Sequence, residues 1–154
     1  MTSATNAVEA LTLLANGSAA GIMLSTVIGV APLFLSLPYT RYVQTVQFLR
    51  PRFDPAMPAL NGLTLVLDLL LASVLADGGA RYRFAAAGVL QVAVMVISIT
   101  RNVPVNKLVM ALDPEQEPSD WQKIDPRRRW RDWNFVRTSL ALLAFAVNVA
   151  AIVS

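Results

Sequence analysis

Apolar residues fall into four long runs, at about 7–37, 57–76, 84–102 and 133–153, separated by polar stretches rich in proline, glycine and charge. A membrane-crossing helix needs about 20 such residues, so the pattern predicts four spans. The first run exceeds that length, which predicts a tilted helix or one that projects beyond the bilayer. Residues 38–56 and 103–132 are the long connections, and Asp77-Gly78-Gly79 closes a tight turn between spans two and three. In the first connection Arg41, Arg50 and Arg52 alternate with Tyr42, Val43, Val46, Phe48 and Leu49. That pattern fits a short amphipathic helix at the membrane interface or an ordinary basic loop. Pro51, Pro55 and Pro58 end it and open the next helix. Pro104 disfavours helix at Val103, so span three is predicted to stop there. The predicted fold is all-α, a single domain over 1–154, an integral membrane four-helix bundle with a short interfacial amphipathic helix between spans one and two.

The polar residues within the runs keep to single helical faces. Asn61, Thr64 and Asp68 share one on span two; Gln91, Ser98 and Asn102 on span three; Asn134, Arg137, Ala141 and Asn148 on span four. Polar stripes do not face lipid, so a polar seam runs inside the bundle. Asn16, Asp68 and Gln91 each lie about eight residues from one end of their helices, roughly 12 Å deep at about 1.5 Å per residue. They form one candidate layer, and Asn61, Asn102, Asn134 and Arg137 a second. On span one Ser18, Gly21, Ser25, Gly29 and Pro32 share a face of small residues. Such a face serves close helix packing, either within the bundle or between copies in a homo-oligomer, and Pro32 bends the helix.

Composition agrees with the pattern. Hydrophobic residues make up 55% and charged residues 15%, against roughly a quarter charged in soluble domains. Lipid is therefore a partner. The net charge of +3 reflects loop placement and does not indicate nucleic acid. Arg41, Arg50, Arg52, Arg101, Lys107, Lys123, Arg127, Arg128, Arg129, Arg131 and Arg137 lie at one end of the spans, against Arg81 and Arg83 at the other. The positive-inside rule then predicts an integral cytoplasmic (inner) membrane protein with cytoplasmic connections and both termini extracytoplasmic. The arginines and tryptophans of 127–137 are its interface anchor. No Lys or Arg precedes Arg41, so the first run is expected to remain as a membrane helix.

Candidate chemistry is confined to few residue types, because the chain has no cysteine and no histidine. Disulfide and thiolate chemistry are absent, and a redox metal would meet only oxygen and amide ligands, which suit it poorly. No metal or organic cofactor is predicted. Asp68 is an ionisable group deep in a span, which marks it as a candidate general acid or base; a protonated carboxyl bonded to Gln91 or Asn16 is its structural alternative. Arg137 either reaches outward to the headgroups or points inward to an anionic oxygen. Glu9, near a helix end, is expected to be solvated. Asn102 and Asn106 flank Pro104 and fit the end of a helix, where asparagine ties off backbone groups.

Asn-Val-Pro-Val-Asn at 102–106, Trp121, and Trp130-x-x-Trp133-Asn134-x-x-Arg137-Thr138 together resemble the anthrone-oxygenase-like (DUF1772) family of small four-span membrane proteins. The matching positions are Asn102, Pro104, Asn106, Trp130, Asn134 and Arg137. The resemblance implies a four-span bundle and suggests oxidation of anthrone-type polyketides with molecular oxygen. Asp68 and Arg137 are then the expected catalytic pair. Asn16, Asn61, Gln91, Asn102, Asn106, Trp130 and Asn134 are expected to bind a lipophilic aromatic substrate. Deprotonation, stabilisation of the enolate by Arg137 and its neighbours, and direct reaction with oxygen would need no cofactor. A non-redox cyclase or isomerase of secondary metabolism, and a non-catalytic bundle that binds lipid or a partner protein, use the same residues.

Overall fold

A computed structural model describes residues 3–153; residues 1, 2 and 154 lie outside it. Among the described residues there are helices and turns but no strands. Four helical stretches are long and apolar enough to cross a membrane. Span one is Ser3–Ser36, made of α1 (Ser3–Ser25), a wide π turn (Thr26–Val30) and α2 (Ala31–Ser36). Helix α3 (Tyr39–Phe53) follows. Span two is α4 (Ala56–Leu70) with a terminal π turn (Leu71–Leu75). Span three is α5 (Gly78–Ile97), a π turn (Ser98–Asn102) and α6 (Val103–Met110). After the short α7 (Trp121–Ile124), α8 (Arg127–Val153) forms span four.

The spans pack as a square in which α1 and α5 occupy opposite corners, each touching both α4 and α8. Its surface is inside out relative to a soluble bundle. Leu14, Ile28, Val66, Val74, Val89, Ile99 and Phe135 face outward, whereas Thr12, Asn16, Thr64, Asp68, Gln91, Asn134 and Asn148 are buried. Only lipid makes such an exterior stable. The chain is an integral membrane helical bundle.

Proline shapes two spans. A proline lacks the N–H of its turn, and its ring collides with the carbonyl four residues back. In both cases the helix widens just ahead of it. The N–H of Ala31 reaches the carbonyl of Thr26, and that of Val103 reaches Ser98, five residues back each time. Pro32 and Pro104 then sit in the first turn of the continuing helix, where no N–H is required. Span three therefore does not stop at Val103, as the proline alone predicts. The widened turn absorbs the clash, Val103 stays helical, and Asn102 and Asn106 lie on a continuing helix rather than in a turn. Pro51 likewise falls inside α3, whose last turn is held by the Arg50–Asp54 ion pair at 2.8 Å.

Helix α3 packs on the bundle through part of its apolar side. Tyr39, Tyr42, Val43 and Val46 are buried in one cluster with Val105 and Val109 of α6, Trp121 of α7 and Trp130 of α8. Trp121 stacks edge-on to Tyr39, with ring centroids 4.8 Å apart. The Tyr39 hydroxyl donates to the Asp113 carbonyl at 2.8 Å, and Gln47 Nε2 to Leu112 O at 2.9 Å, which fastens the 111–120 loop to α3. Asp125 leads into α8: its Oδ1 accepts the Arg127 N–H at 3.0 Å, an Asx turn just ahead of the helix. The Arg127 guanidinium pairs with Asp125 at 2.6 Å and donates to the carbonyls of Phe34 and Leu37. It thereby ties off the open end of span one. Burial, reinforced by nearby Asp125, holds the Tyr42 phenol above its usual range, so this aromatic cap stays neutral.

Two further expectations change. The face of Ser18, Gly21, Ser25, Gly29 and Pro32 points away from the bundle, and Gly21 and Gly29 have nothing near their Cα substituent. Span one packs through Thr12, Ala15, Ala19, Ala20 and Met23 instead. Glu9 is 5% exposed rather than solvated, because the described helix already begins at Ser3 and turns Glu9 inward.

Candidate active-site cavity

The two proline-widened turns face each other across a cavity of about 220 Å³. Thr26 and Val30 line it from span one; Ser98, Ile99 and Asn102 from span three. Helix α3 roofs it with Val46, Leu49 and Arg50, and Asp54, Met57 and Asn61 bound it on the side of α4. Trp130 and Arg137 close it from α8. The volume exceeds the roughly 150 Å³ that admits benzene, so a fused aromatic system is a suitable occupant. Met23, Met57 and Met95 supply three thioethers to the wall beside Phe34, Phe53 and Trp130. Sulfur and ring edges favour flat aromatic ligands and adapt to their outline.

The polar side of the cavity is a small hydrogen-bonded assembly. Trp130 Nε1 donates to Asn106 Oδ1 at 3.0 Å, and Asn102 Nδ2 to the Trp130 carbonyl at 3.4 Å. Arg137 Nε donates to Asn134 Oδ1 at 2.8 Å and its Nη1 to Ser98 Oγ at 3.1 Å. Arg137 thus turns inward instead of snorkelling, and it forms no ion pair with any described carboxylate. A guanidinium at the centre of a span costs about 3 kcal/mol even on the mildest scale, and less toward the ends. Here two neutral oxygens orient it toward the cavity without cancelling its charge.

The predicted residues therefore separate. Asn61, Asn102, Asn106, Trp130 and Arg137 line the cavity, and Asn134 stands behind Arg137 and orients it. Asn16, Asp68 and Gln91 do not line it. Gln91 nonetheless touches both layers, since its Nε2 donates to Asn61 Oδ1 at 2.5 Å. Asp68 packs against Gly88, with the Asn148 side chain beside it. The carboxylate that does reach the cavity is Asp54, half-exposed and ion-paired to Arg50. Its spacing of four residues from Arg50 was a visible helical pair signal. Nothing in the local pattern aimed that pair at a cavity.

Asn102, Asn106, Trp130, Asn134 and Arg137 of the motif take part in this assembly. A family model described as anthrone oxygenase matches residues 52–147, from the end of α3 into α8. The chain belongs to the anthrone oxygenase family. At the level of the family, that membership makes it an oxygenase-like membrane protein. Neither the curated proteins nor the solved structures contain a match to it.

Proposed function

We propose that this protein oxygenates a flat, weakly acidic aromatic ketone of the anthrone type, drawn from the bilayer, with molecular oxygen as co-substrate. The observation that supports this most is Arg137, a cation with no carboxylate partner beside an apolar, ring-sized cavity. The substrate carbonyl accepts a hydrogen bond from the Arg137 guanidinium. Asp54 removes a proton from the ring CH2 opposite that carbonyl. Charge develops on the carbonyl oxygen as the enolate forms, and a preorganised donor in a dry site stabilises that charge most strongly. The carbanion carbon bonds to oxygen and the product is protonated to a hydroperoxide. Loss of the remaining C–H proton and of hydroxide, joined as water, leaves a second ring carbonyl. The balance is CH2 plus O2 to C=O plus water.

Oxygen uptake by the purified protein in detergent, with anthrone as substrate and product mass read alongside, tests this. Uptake above the spontaneous rate, with a gain of one oxygen and a loss of two hydrogens, supports it. A product of unchanged mass would make the protein a non-redox enzyme. No turnover, with anthrone bound at the cavity, would leave it a binding bundle.

The same reading orients the bundle. Cytosolic facing of the α3–α7 end follows from its arginines. Since the chain has no cysteine, single replacements report sidedness cleanly. We expect Ser119→Cys to react with a membrane-impermeant maleimide only after cells are opened, and Gly79→Cys to react in intact spheroplasts. The reverse pattern would invert the orientation.

A further inference from the structure

A second polar layer lies apart from the cavity, and each corner of the square contributes one residue to it. Asn16 is on α1, Asp68 on α4, Gln91 on α5 and Asn148 on α8, all with 0% exposure. Along every helix the residue falls between the same two apolar clusters. One is built around Ala20, Met23, Val94 and Ala141, the other around Leu71, Phe84 and Ala151. The four side chains therefore lie in the same stretch of the bundle interior.

The layer holds unpartnered oxygens together with two unpartnered amide nitrogens, those of Asn16 and Asn148. Both oxygens of Asp68, Oε1 of Gln91, and both the oxygen and the nitrogen of the Asn16 and Asn148 amides have no hydrogen-bond partner, so either asparagine can turn its oxygen to an ion. The orientation of Gln91 is set by its amide nitrogen, which is committed to Asn61, so its oxygen turns to the other side. Asp68 forms no ion pair with any described Arg or Lys. A buried carboxylate without a counter-charge is costly. The amides can supply hydrogen bonds but no positive charge.

We propose that Asn16, Asp68, Gln91 and Asn148 form a binding site for one monovalent alkali cation, coordinated by the Asp68 carboxylate and the three amide oxygens. An all-oxygen set selects a hard cation, and its single negative charge matches a single positive one. A divalent ion would leave a net charge buried. Glu9, two turns nearer the N-terminal end on the same helix, is buried with an unpartnered Oε1. It offers the ion a carboxylate on the way in. The site is independent of the oxygenase reading and is tested without substrate or oxygen.

The test uses the full chain in detergent at fixed ionic strength, with sodium, potassium or N-methylglucamine chloride. Radioactive sodium should bind saturably at about one ion per chain, weakening as pH falls because a proton competes for Asp68. The melting midpoint should rise with added sodium or potassium and level off, as linkage requires. Asp68→Asn should abolish both effects. Equal melting in all three salts, with no saturable sodium or rubidium binding to the unmutated protein, would overturn the site. Asp68 would then be neutralised by a proton. Because binding is measured on the unmutated chain, a variant that fails to fold does not blur the outcome.

Discussion

Replacing Arg137 with glutamine should lower the proposed oxygen-dependent turnover of an anthrone-type substrate by about 10²–10³-fold, the loss seen when one preorganised donor to a developing oxyanion is removed. The fall should lie mainly in kcat, because the guanidinium meets full negative charge only once the enolate forms. Arg137→Lys should recover little. A lysine offers a point charge without the fork that contacts Asn134 and Ser98 together. Asn134→Ala should reproduce part of the loss by freeing the guanidinium. Asp54→Asn should cost about 10²–10⁴-fold, within the usual range for a general base. Stability gives the control: Arg137→Gln removes a costly charge from a span, so its melting temperature should hold or rise. An unchanged kcat in a folded Arg137→Gln variant would end the enolate mechanism.

The second large effect is structural. Trp121→Ala should destabilise the bundle by about 3–5 kcal/mol, as deletion of a large buried aromatic does. Trp121 is the side chain that Tyr39 and Tyr42 both pack upon. Without it the 111–120 loop keeps the Tyr39 and Gln47 hydrogen bonds but loses the ring that seats it. Cleavage in this loop by a soluble protease should therefore accelerate well before the spans melt. Helix α3 is the roof of the cavity, so bound ligand should also dissociate faster. If the loop stayed protected and the melting temperature were unchanged, the aromatic cap would not be what holds α3 in place.

The placement of Asp54 at the cavity and of Asp68 away from it shows what a linear reading does not reach. Depth along a span is legible from residue counts, and that arithmetic correctly set Asp68 well inside the bundle. Whether a buried residue faces a cavity or a packed layer depends on how each helix is rotated against its neighbours. The small-residue face of span one illustrates this: it satisfies a packing pattern, yet the bundle turns Ala15, Ala19 and Met23 inward and leaves Gly21 and Gly29 outside. The π turns compound the problem. Each inserts a residue into the turn and shifts every later side chain relative to an ideal 3.6-residue period. Ser98 and Asn102 lie on such a turn, and Pro104, which suggests a helix end, marks instead where the helix widens.

What the sequence determined by itself is local and energetic in origin. Lipid forces every backbone group to be satisfied within its own segment, so four apolar runs mean four helices. The clustering of arginine and tryptophan distinguishes one end of the bundle from the other, and the spacing of Asn102, Asn106, Trp130, Asn134 and Arg137 carries the family. Only the tertiary structure decided which polar groups meet. It joined Trp130 to Asn106 and Arg137 to both Asn134 and Ser98, brought Asp54 to the cavity, and withdrew Asp68 into a layer of its own. Those choices rest on contacts between helices distant in sequence, where a rotation of one helix by a single residue, about 100°, carries much of its buried face out of the core.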